Sequence, residues 1–401
     1  MNIAIVTNLF PPIQTGSSYW TKELALNLLK KGHKVIVMTC LFSGENVESE
    51  KNLDDILIYR LPSTLNLPKT KLFLNFKQFY LMWSKTNEKK MEKILSDNKI
   101  DVIHQCGHLL DSAFLTKRVA KKLRIPTICS VHTRIYNPYN IFFDRVLKFF
   151  DRNLWGKLVI NKFDAMISLD KEIADYVKSI YTPEIHEIAP VCVDESILKE
   201  KAATPEAGGE FLKITSVGHA TEMRNRIGLL KAIKILLDDD YNVRLTVIGK
   251  VLSDKFVNGI KKLCIESYVD VLGEVPRENL FDLLRKSNVE AHWIDMPSIG
   301  SASMEAMAIG LPVMCNAYEG IYGESIPLKN WENIVLIDPN SPEDIAMALK
   351  KLAENPELRK KIGRNSRQFV KEYLAWGYVV DKIIDVYETA LQKNRNRDYV
   401  C

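Results

Sequence analysis

The feature that most limits how this chain can fold is an alternation of short apolar runs with helix-period stretches. It appears in the first half and restarts in the second. Residues 2–7 (Asn-Ile-Ala-Ile-Val-Thr) read as a buried strand. Residues 8–18 read as a loop carrying Pro11, Pro12 and Gly16. Residues 19–31 read as a helix with Leu24, Ala25, Leu28 and Leu29 on its apolar face, ended by Gly32 and His33. Residues 34–39 read as the next strand. Strand, glycine-bearing loop, helix, strand is a βαβ unit, which predicts a parallel sheet. Ligands collect at the loop after the first strand of such a unit.

The same pattern predicts strands at 56–61, 101–104, 127–131 and 165–169. Helices are expected over 71–94, over most of 136–163 and over 170–179, and residues 188–194 close the first half. Residues 199–210, charged and then small and glycine-containing, are the candidate linker. From 211 the alternation begins again, with strands at 211–217, 243–248, 269–272, 289–293, 312–315 and 334–337 and helices between them. Helices over 342–373 and 377–392 and a frayed polar tail at 394–401 end the chain. Two βα arrays of similar length predict an α/β protein of two facing, doubly wound, Rossmann-like domains with a cleft between them.

Composition narrows the class. A chain of 401 residues, 46% apolar and 26% charged, is that of a soluble globular protein of two or three domains. A net charge of +5 is small for this length and does not call for a nucleic-acid partner. Seven cysteines without paired spacing describe neither a disulfide framework nor a zinc site, and suit a reducing cytosol. No signal-peptide pattern is visible at the start, and no run of about 18 apolar residues is present to span a membrane.

Residues 297–313 (Pro-Ser-Ile-Gly-Ser-Ala-Ser-Met-Glu-Ala-Met-Ala-Ile-Gly-Leu-Pro-Val) carry the most chemistry. Gly300 reads as a hinge that admits close approach, Ser301 and Ser303 as helix-start residues, and Gly310 with Pro312 as a stop. Bare amides at a helix start suit a phosphate. Glu305, one turn inside, can accept two hydrogen bonds from a vicinal diol such as a ribose. A phosphate site and a diol acceptor some ~10 Å apart describe a nucleotide. The competing reading is an ordinary α/β loop with a glutamate near a helix start.

Other residues are candidates for function. His104 and His108 are four apart, but Gly107 intervenes and no third ligand is near, so a histidine facing an acceptor is preferred to a metal site. His132 ends a strand, a position that faces ligands in an open α/β sheet. Asp238, Asp239 and Asp240 read as a solvated turn. The aromatic and basic stretches 71–90 and 134–160 read either as core helices or as a surface for anionic lipid.

Taken in order, these motifs carry a likeness. Pro11–Pro12 with Gly16, Gly32-His-Lys-Val35, Pro190-Val-Cys-Val-Asp194, Leu272-Gly-Glu-Val-Pro276, Glu305-Ala-Met-Ala-Ile-Gly-Leu-Pro-Val313, Asn340-Ser-Pro-Glu-Asp344, Asn355-Pro-Glu-Leu-Arg359 and Trp376 resemble the family-four retaining glycosyltransferases of group 1 type, which have the GT-B fold. The likeness covers nearly the whole length. It implies an acceptor-binding domain over 1–197, completed by a crossing helix over 377–401, and a nucleotide-sugar-binding domain over 211–376. It implies that Glu305 holds the donor ribose, that Gly300, Ser301, Ala302 and Ser303 hold the diphosphate, and that Gly16 and Gly218 approach the donor. It further implies that His132 lies near the transferred sugar and that Arg224, with Arg226 in reserve, stabilises the leaving phosphate. His104, His108 and Arg134 are expected on the acceptor side.

Three departures fall on donor contacts. Pro297 stands where the family often has a second glutamate, His219 where it often has an arginine, and Gly249-Lys-Val251 lacks a second glycine. The chain is thus expected to be a cytoplasmic hexosyltransferase, either free in the cytosol or peripheral to the inner face of the membrane, that moves sugar from a nucleotide-sugar donor to a polysaccharide, a glycolipid or a small acceptor. No metal or other cofactor is expected. The rivals are a sugar-nucleotide epimerase or phosphorylase on the same fold, and a non-catalytic sugar-nucleotide-binding subunit.

Overall fold

The structure is a computed structural model and describes residues 1–13, 15–41, 49–51, 56–63, 65–68, 78–135, 140–203, 211–221, 226–293 and 296–398. The chain divides into two compact units, Met1–Pro190 with Val379–Cys401, and Val191–Tyr378.

The first unit contains β1 (Asn2–Val6), β2 (Lys34–Leu41), β3 (Ser49–Lys51), β4 (Leu57–Pro62), β5 (Leu65–Pro68), β6 (Gln78–Leu81), β7 (Val102–Cys106), β8 (Thr127–Val131), β9 (Ala165–Ser168) and β10 (His186–Ile188). Eight of them form one sheet in the order β10-β9-β8-β7-β1-β2-β4-β3, parallel except for β3 against β4. β1 lies between β2 (Ile3 opposite Val35) and β7 (Ile3 opposite Val102), so the strand order reverses there. Its run Ile3-Ala-Ile-Val is buried throughout, as a parallel strand covered on both faces must be.

The second unit contains β11 (Leu212–Val217), β12 (Val243–Ile248), β13 (Val269–Gly273), β14 (Val289–Ala291), β15 (Val313–Cys315) and β16 (Val335–Leu336). The order is β13-β12-β11-β14-β15-β16 and every pairing is parallel. This is a doubly wound sheet whose order reverses between β11 and β14. Where β11 and β12 end, Gly218 and Gly249 both take φ 129°. A Cβ on Gly249 would lie 2.5 Å from the Gly218 carbonyl oxygen, so the two strand ends approach closely only because both residues are glycine.

Several boundaries differ from the sequence reading. Residues 78–81 of the expected helix over 71–94 are strand β6, paired antiparallel with β5; the helix is Lys85–Asp97, capped by Ser84, whose hydroxyl accepts from the Asn87 amide at 3.0 Å. Aromatic and β-branched residues suit a pleated ribbon as well as a helix face. Residues 71–77 lie outside the described residues. The helix expected over 342–373 is two, Pro342–Glu354 and Pro356–Phe369. Asn355 ends the first and caps the second, accepting from the Leu358 amide at 2.9 Å, with Pro356 in the first turn.

The final helix, Trp376–Asp398, runs past Gln392, so residues 394–398 are helical rather than frayed; Val379, Val380, Ile383 and Tyr387 are buried. The unit boundary lies at Pro190 rather than at 197. Val193 bridges to Ala375, and the Ala203 amide donates to the Ile309 carbonyl at 2.6 Å, which ties this segment to the second unit. Of the candidate linker, residues 204–210 lie outside the described residues.

The glycine contact is directly testable. Gly249→Ala is expected to destabilise the protein by at least about 2 kcal/mol, because strained φ and a backbone clash combine. Gly32→Ala, at φ 83° but with open space around a Cβ, is expected to cost about 1 kcal/mol. Thermal unfolding followed by circular dichroism compares the two, and equal losses would overturn the steric account.

Candidate functional site

The helix Ser301–Ala308 begins at an N-cap, Gly300, that has no side-chain cap. Its first intrahelical bond runs from the Met304 amide to the Gly300 carbonyl at 2.9 Å. The amides of Ser301, Ala302 and Ser303 therefore have no acceptor inside the helix, and they carry its positive end. Neither serine caps, contrary to expectation: Ser301 is exposed and Ser303 is buried with its hydroxyl unpaired. Gly300, read as a hinge that admits close approach, has φ −66°. Its small size serves His292, whose Cδ2 would lie 3.2 Å from a Cβ placed there.

Glu305 points from the next turn, with its side chain 19% exposed. Its Oε1 accepts from Arg277 Nη2 at 2.8 Å. Burial raises the pKa of this carboxyl, the Arg277 charge pulls it back down, and Asp194 pushes it up again.

Gly218 ends β11 beside this helix. Arg226 does not offer a free fork to a ligand: it is 4% exposed, and its Nε donates to Ser216 Oγ at 2.9 Å and its Nη2 to the Gly218 carbonyl at 2.7 Å. Its role is to hold the strand end, which corrects the expected donor contact. Arg224 lies outside the described residues. His219 is exposed, and its Nδ1 accepts from the Lys250 amide at 3.1 Å.

Sequence reading missed Glu290. It sits in the middle of β14, fully buried, and its Oε1 accepts a long 3.5 Å bond from the Val217 amide. Ser303 Oγ approaches it without completing a well-formed hydrogen bond. Burial pushes its pKa to about 7, against the lowering effects of Ser303, the Val217 amide and Arg226. Ser216, Arg226 and Glu290 thus hold the ends of β11 and β14, and Ser303 at the start of the helix lies beside Glu290. A carboxylate inside the three-residue run Val-Glu-Ala was the available signal.

In the first unit, Gly16 opens the helix Gly16–Lys30, which starts earlier than expected because Thr15 caps it; Thr15 Oγ1 accepts from the Ser18 amide at 3.1 Å. Nothing lies within 4 Å of a Cβ placed on Gly16. His132 follows β8. Its ring stands edge-on to Trp20 with centroids 4.5 Å apart, its Nδ1 is 3.5 Å from Ser17 Oγ, and its Nε2 is buried without a partner. Burial lowers its pKa to about 4.

His104 is corrected. It is an interior residue of β7 with one ring nitrogen on the Tyr387 hydroxyl and the other on Ser130 Oγ, both at 2.5 Å, so it faces neither an acceptor nor a metal. His108 is corrected as well. It is 1% exposed, with Nε2 3.4 Å from the Tyr176 hydroxyl. Burial lowers the pKa of both rings to about 3. Arg134 is partly exposed, and its charge acts on Asp170.

Comparison with known proteins decides the family. Residues 15–196 match the family model for glycosyltransferase family 4, and residues 199–369 match that for glycosyl transferases group 1. This chain belongs to the family 4, group 1 glycosyltransferases. An uncharacterized glycosyltransferase of Methanocaldococcus jannaschii is 25% identical to it over 98% of this chain and 99% of its own length. The MMP alpha-(1->4)-mannosyltransferase of Mycolicibacterium hassiacum is 21% identical over 98% and 99%. Among solved structures, sucrose-phosphate synthase from Thermosynechococcus elongatus superposes with TM-score 0.69 at 16% identity, covering 98% of this chain and 99% of its own. Anabaena HepE, solved in complex with UDP, superposes with TM-score 0.71 at 13% identity, covering 97% and 100%. The fold is GT-B.

Glu290 gives this glycosyltransferase a pH signature. Its folded pKa of about 7 stands above the unfolded value of 4.5. The folded state therefore holds the proton more tightly, and the stability this contributes is full below pH 4.5 and lost as pH rises through 7. The loss amounts to about 3 kcal/mol. Glu290→Gln is expected to flatten this slope in urea unfolding midpoints taken from about pH 5 to pH 8. A slope identical to that of the unaltered protein would remove the assignment.

Proposed function

We propose that this glycosyltransferase moves one hexose-type unit, with retention of configuration, from a nucleotide-sugar donor to a polysaccharide, a glycolipid or a small acceptor. The observation that carries the reading is the uncapped start of the helix Ser301–Ala308 with Glu305 one turn inside it. The free amides suit the donor diphosphate. The carboxylate, about 6 Å further along the helix axis, suits the ribose diol. The likeness to Anabaena HepE, solved with UDP and with UDP-glucose, supports a donor of this class.

In this reading the helix start and Arg224 stabilise the charge that develops on the leaving phosphate. That phosphate takes the acceptor's proton as the new glycosidic bond forms, which removes the need for a glycosidase-type carboxylate pair. Gly218 gives the phosphates close access to a strand end. The first unit takes the acceptor and presents Gly16, His132 and Arg134 to the substrates. His132 is neutral at pH 7, so it serves as a hydrogen-bonding group rather than a cation. No metal takes part.

The acceptor reading extends to an anionic membrane surface, at which the enzyme works from the cytoplasm. No helix among the described residues is long and apolar enough to cross a membrane. The helix Ile141–Phe150 and the turns after it, however, expose Phe142 (70%), Phe149 (65%) and Leu158 (69%), together with Ile141, Val146, Phe150 and Leu154. Of the two readings of this stretch, a core helix is therefore corrected. Arg145, Lys148, Arg152 and Lys157 are on the same segment as these residues, the pattern of a helix lying in an anionic interface.

Two measurements test the proposal. A thermal-shift screen over nucleoside diphosphates and their sugars is expected to find one that, at about 100 times its dissociation constant, stabilises the protein by about 2.7 kcal/mol. Glu305→Ala should abolish that shift, and an unchanged shift would remove Glu305 from the site. Slow release of free nucleoside diphosphate supports transfer; an epimerised donor, or binding without turnover, would replace it. Flotation with anionic liposomes at low salt should carry the protein upward and should fail for Phe142→Ser/Phe149→Ser. No flotation of the unaltered protein would end the membrane reading.

A further inference from the structure

Arg277 occupies a position that local energetics do not favour. It is the first residue of the helix Arg277–Arg285, where the helix dipole repels a cation. The N-cap, Pro276, supplies no side-chain acceptor, and the acidic residue of the first turn, Glu278, is the neighbour of Arg277 in sequence. The guanidinium instead reaches across to the helix Ser301–Ala308 and donates from Nη2 to Glu305 Oε1 at 2.8 Å. It lies 5.9 Å from the ring of Phe281, one turn along its own helix. No other hydrogen bond to the Glu305 carboxylate is present among the described residues, which leaves Oε2 open to a ligand.

We infer that Arg277 is a positioning residue for the donor: it keeps the largely buried Glu305 carboxylate ionised and turned so that its free oxygen accepts from the donor's ribose. The inference rests on the reading of Glu305 as the diol acceptor. Among the described residues, two charged groups act on Glu305. Arg277 lies on the helix after β13, and Asp194 lies in the segment that enters the second unit; burial and Asp194 disfavour the charged form while Arg277 favours it. A protonated carboxyl loses one acceptor site and becomes a donor, so it is a poorer partner for two hydroxyls. Arg277 and Asp194 therefore act on donor affinity with opposite sign through one proton.

The test is the pH dependence of nucleotide binding by the full chain. UDP, GDP and ADP are titrated calorimetrically, and the tightest binder is followed from about pH 5 to pH 8. The nucleotide's own phosphate ionisation is common to every variant and cancels in comparison with the unaltered protein. Arg277→Ala is expected to move the acid limb to higher pH, with about three- to fivefold more affinity lost near pH 5.5 than near pH 8, the size of a partly exposed ion pair. Arg277→Lys should return the limb toward the original. Asp194→Asn should move it to lower pH; as an asparagine it can still cap the helix Glu195–Lys199.

A uniform loss at every pH in Arg277→Ala, with the acid limb unmoved, would overturn the inference. Arg277→Gln, which keeps the bulk of the side chain, discriminates in the same way should the alanine variant unfold. Glu305→Gln tests the underlying reading separately: it should weaken binding and remove the limb altogether. If it leaves the affinity and its pH profile intact, the diol assignment fails whatever Arg277 does.

Discussion

The second unit depends on how closely two strand ends approach. β11 and β12 run parallel to their last residues, and the Gly218 carbonyl then meets Gly249 at a distance no Cβ would tolerate. That contact aims the Gly218 carbonyl at Arg226, which in turn holds Ser216. With Arg226 fixed beneath the strand end, the neighbouring strand can carry a carboxylate, Glu290, that reaches back to the Val217 amide and lies beside Ser303. The start of the helix Ser301–Ala308 lies against these buried polar groups and has no capping side chain. An uncapped helix start is normally a defect. Here it leaves the amides of Ser301, Ala302 and Ser303 without an acceptor inside the helix.

The fold was legible because parallel sheets write themselves as apolar runs separated by helix-period stretches. Residues 3–6, 35–38 and 313–315 are of that kind, and both sheets appear where expected. Glu305 and Gly300 were legible for a similar reason, since one helix turn is local information. The misses share a physical cause. Residues 78–81 pair with 65–68, Arg277 meets Glu305 across 28 residues, and Glu290 meets Val217 across 73. None of these partners is visible from a window of sequence. The Asn355–Pro356 break was a local signal of cap and first-turn proline, and it was outweighed by unbroken apolar periodicity on either side.

The three histidines of the first unit show how far residue type underdetermines role. In sequence, His104, His108 and His132 all end or follow strands. In the fold, His104 is a buried link between β7, Ser130 of β8 and Tyr387 of the last helix, with both nitrogens engaged. His108 packs under Tyr176 and Tyr181. His132 alone of the three keeps a buried nitrogen without a protein partner. All three are neutral at pH 7 because burial opposes their charged forms. What separates His104 from His132 here is the count of engaged nitrogens, two against one, which depends on residues far away in sequence.

The surface helix of the first unit makes the complementary point. Its ends are held by polar contacts, while its apolar parts face out. Asn140 caps it, with Oδ1 accepting from the Phe142 and Phe143 amides at 3.0 and 3.1 Å. At its other end the widened turn Asp151–Trp155 buries Asp151, which takes the hydroxyls of Tyr176 and Tyr181, and Trp155 Nε1 donates to the His108 carbonyl at 2.7 Å. Anchored in this way, the helix does not need Phe142, Phe149 or Leu158 to hold it to the unit. A surface that only had to be soluble would carry polar residues at those positions. The helix is thus held by polar contacts at its two ends, with an apolar ridge turned outward on a segment that also carries Arg145, Lys148, Arg152 and Lys157.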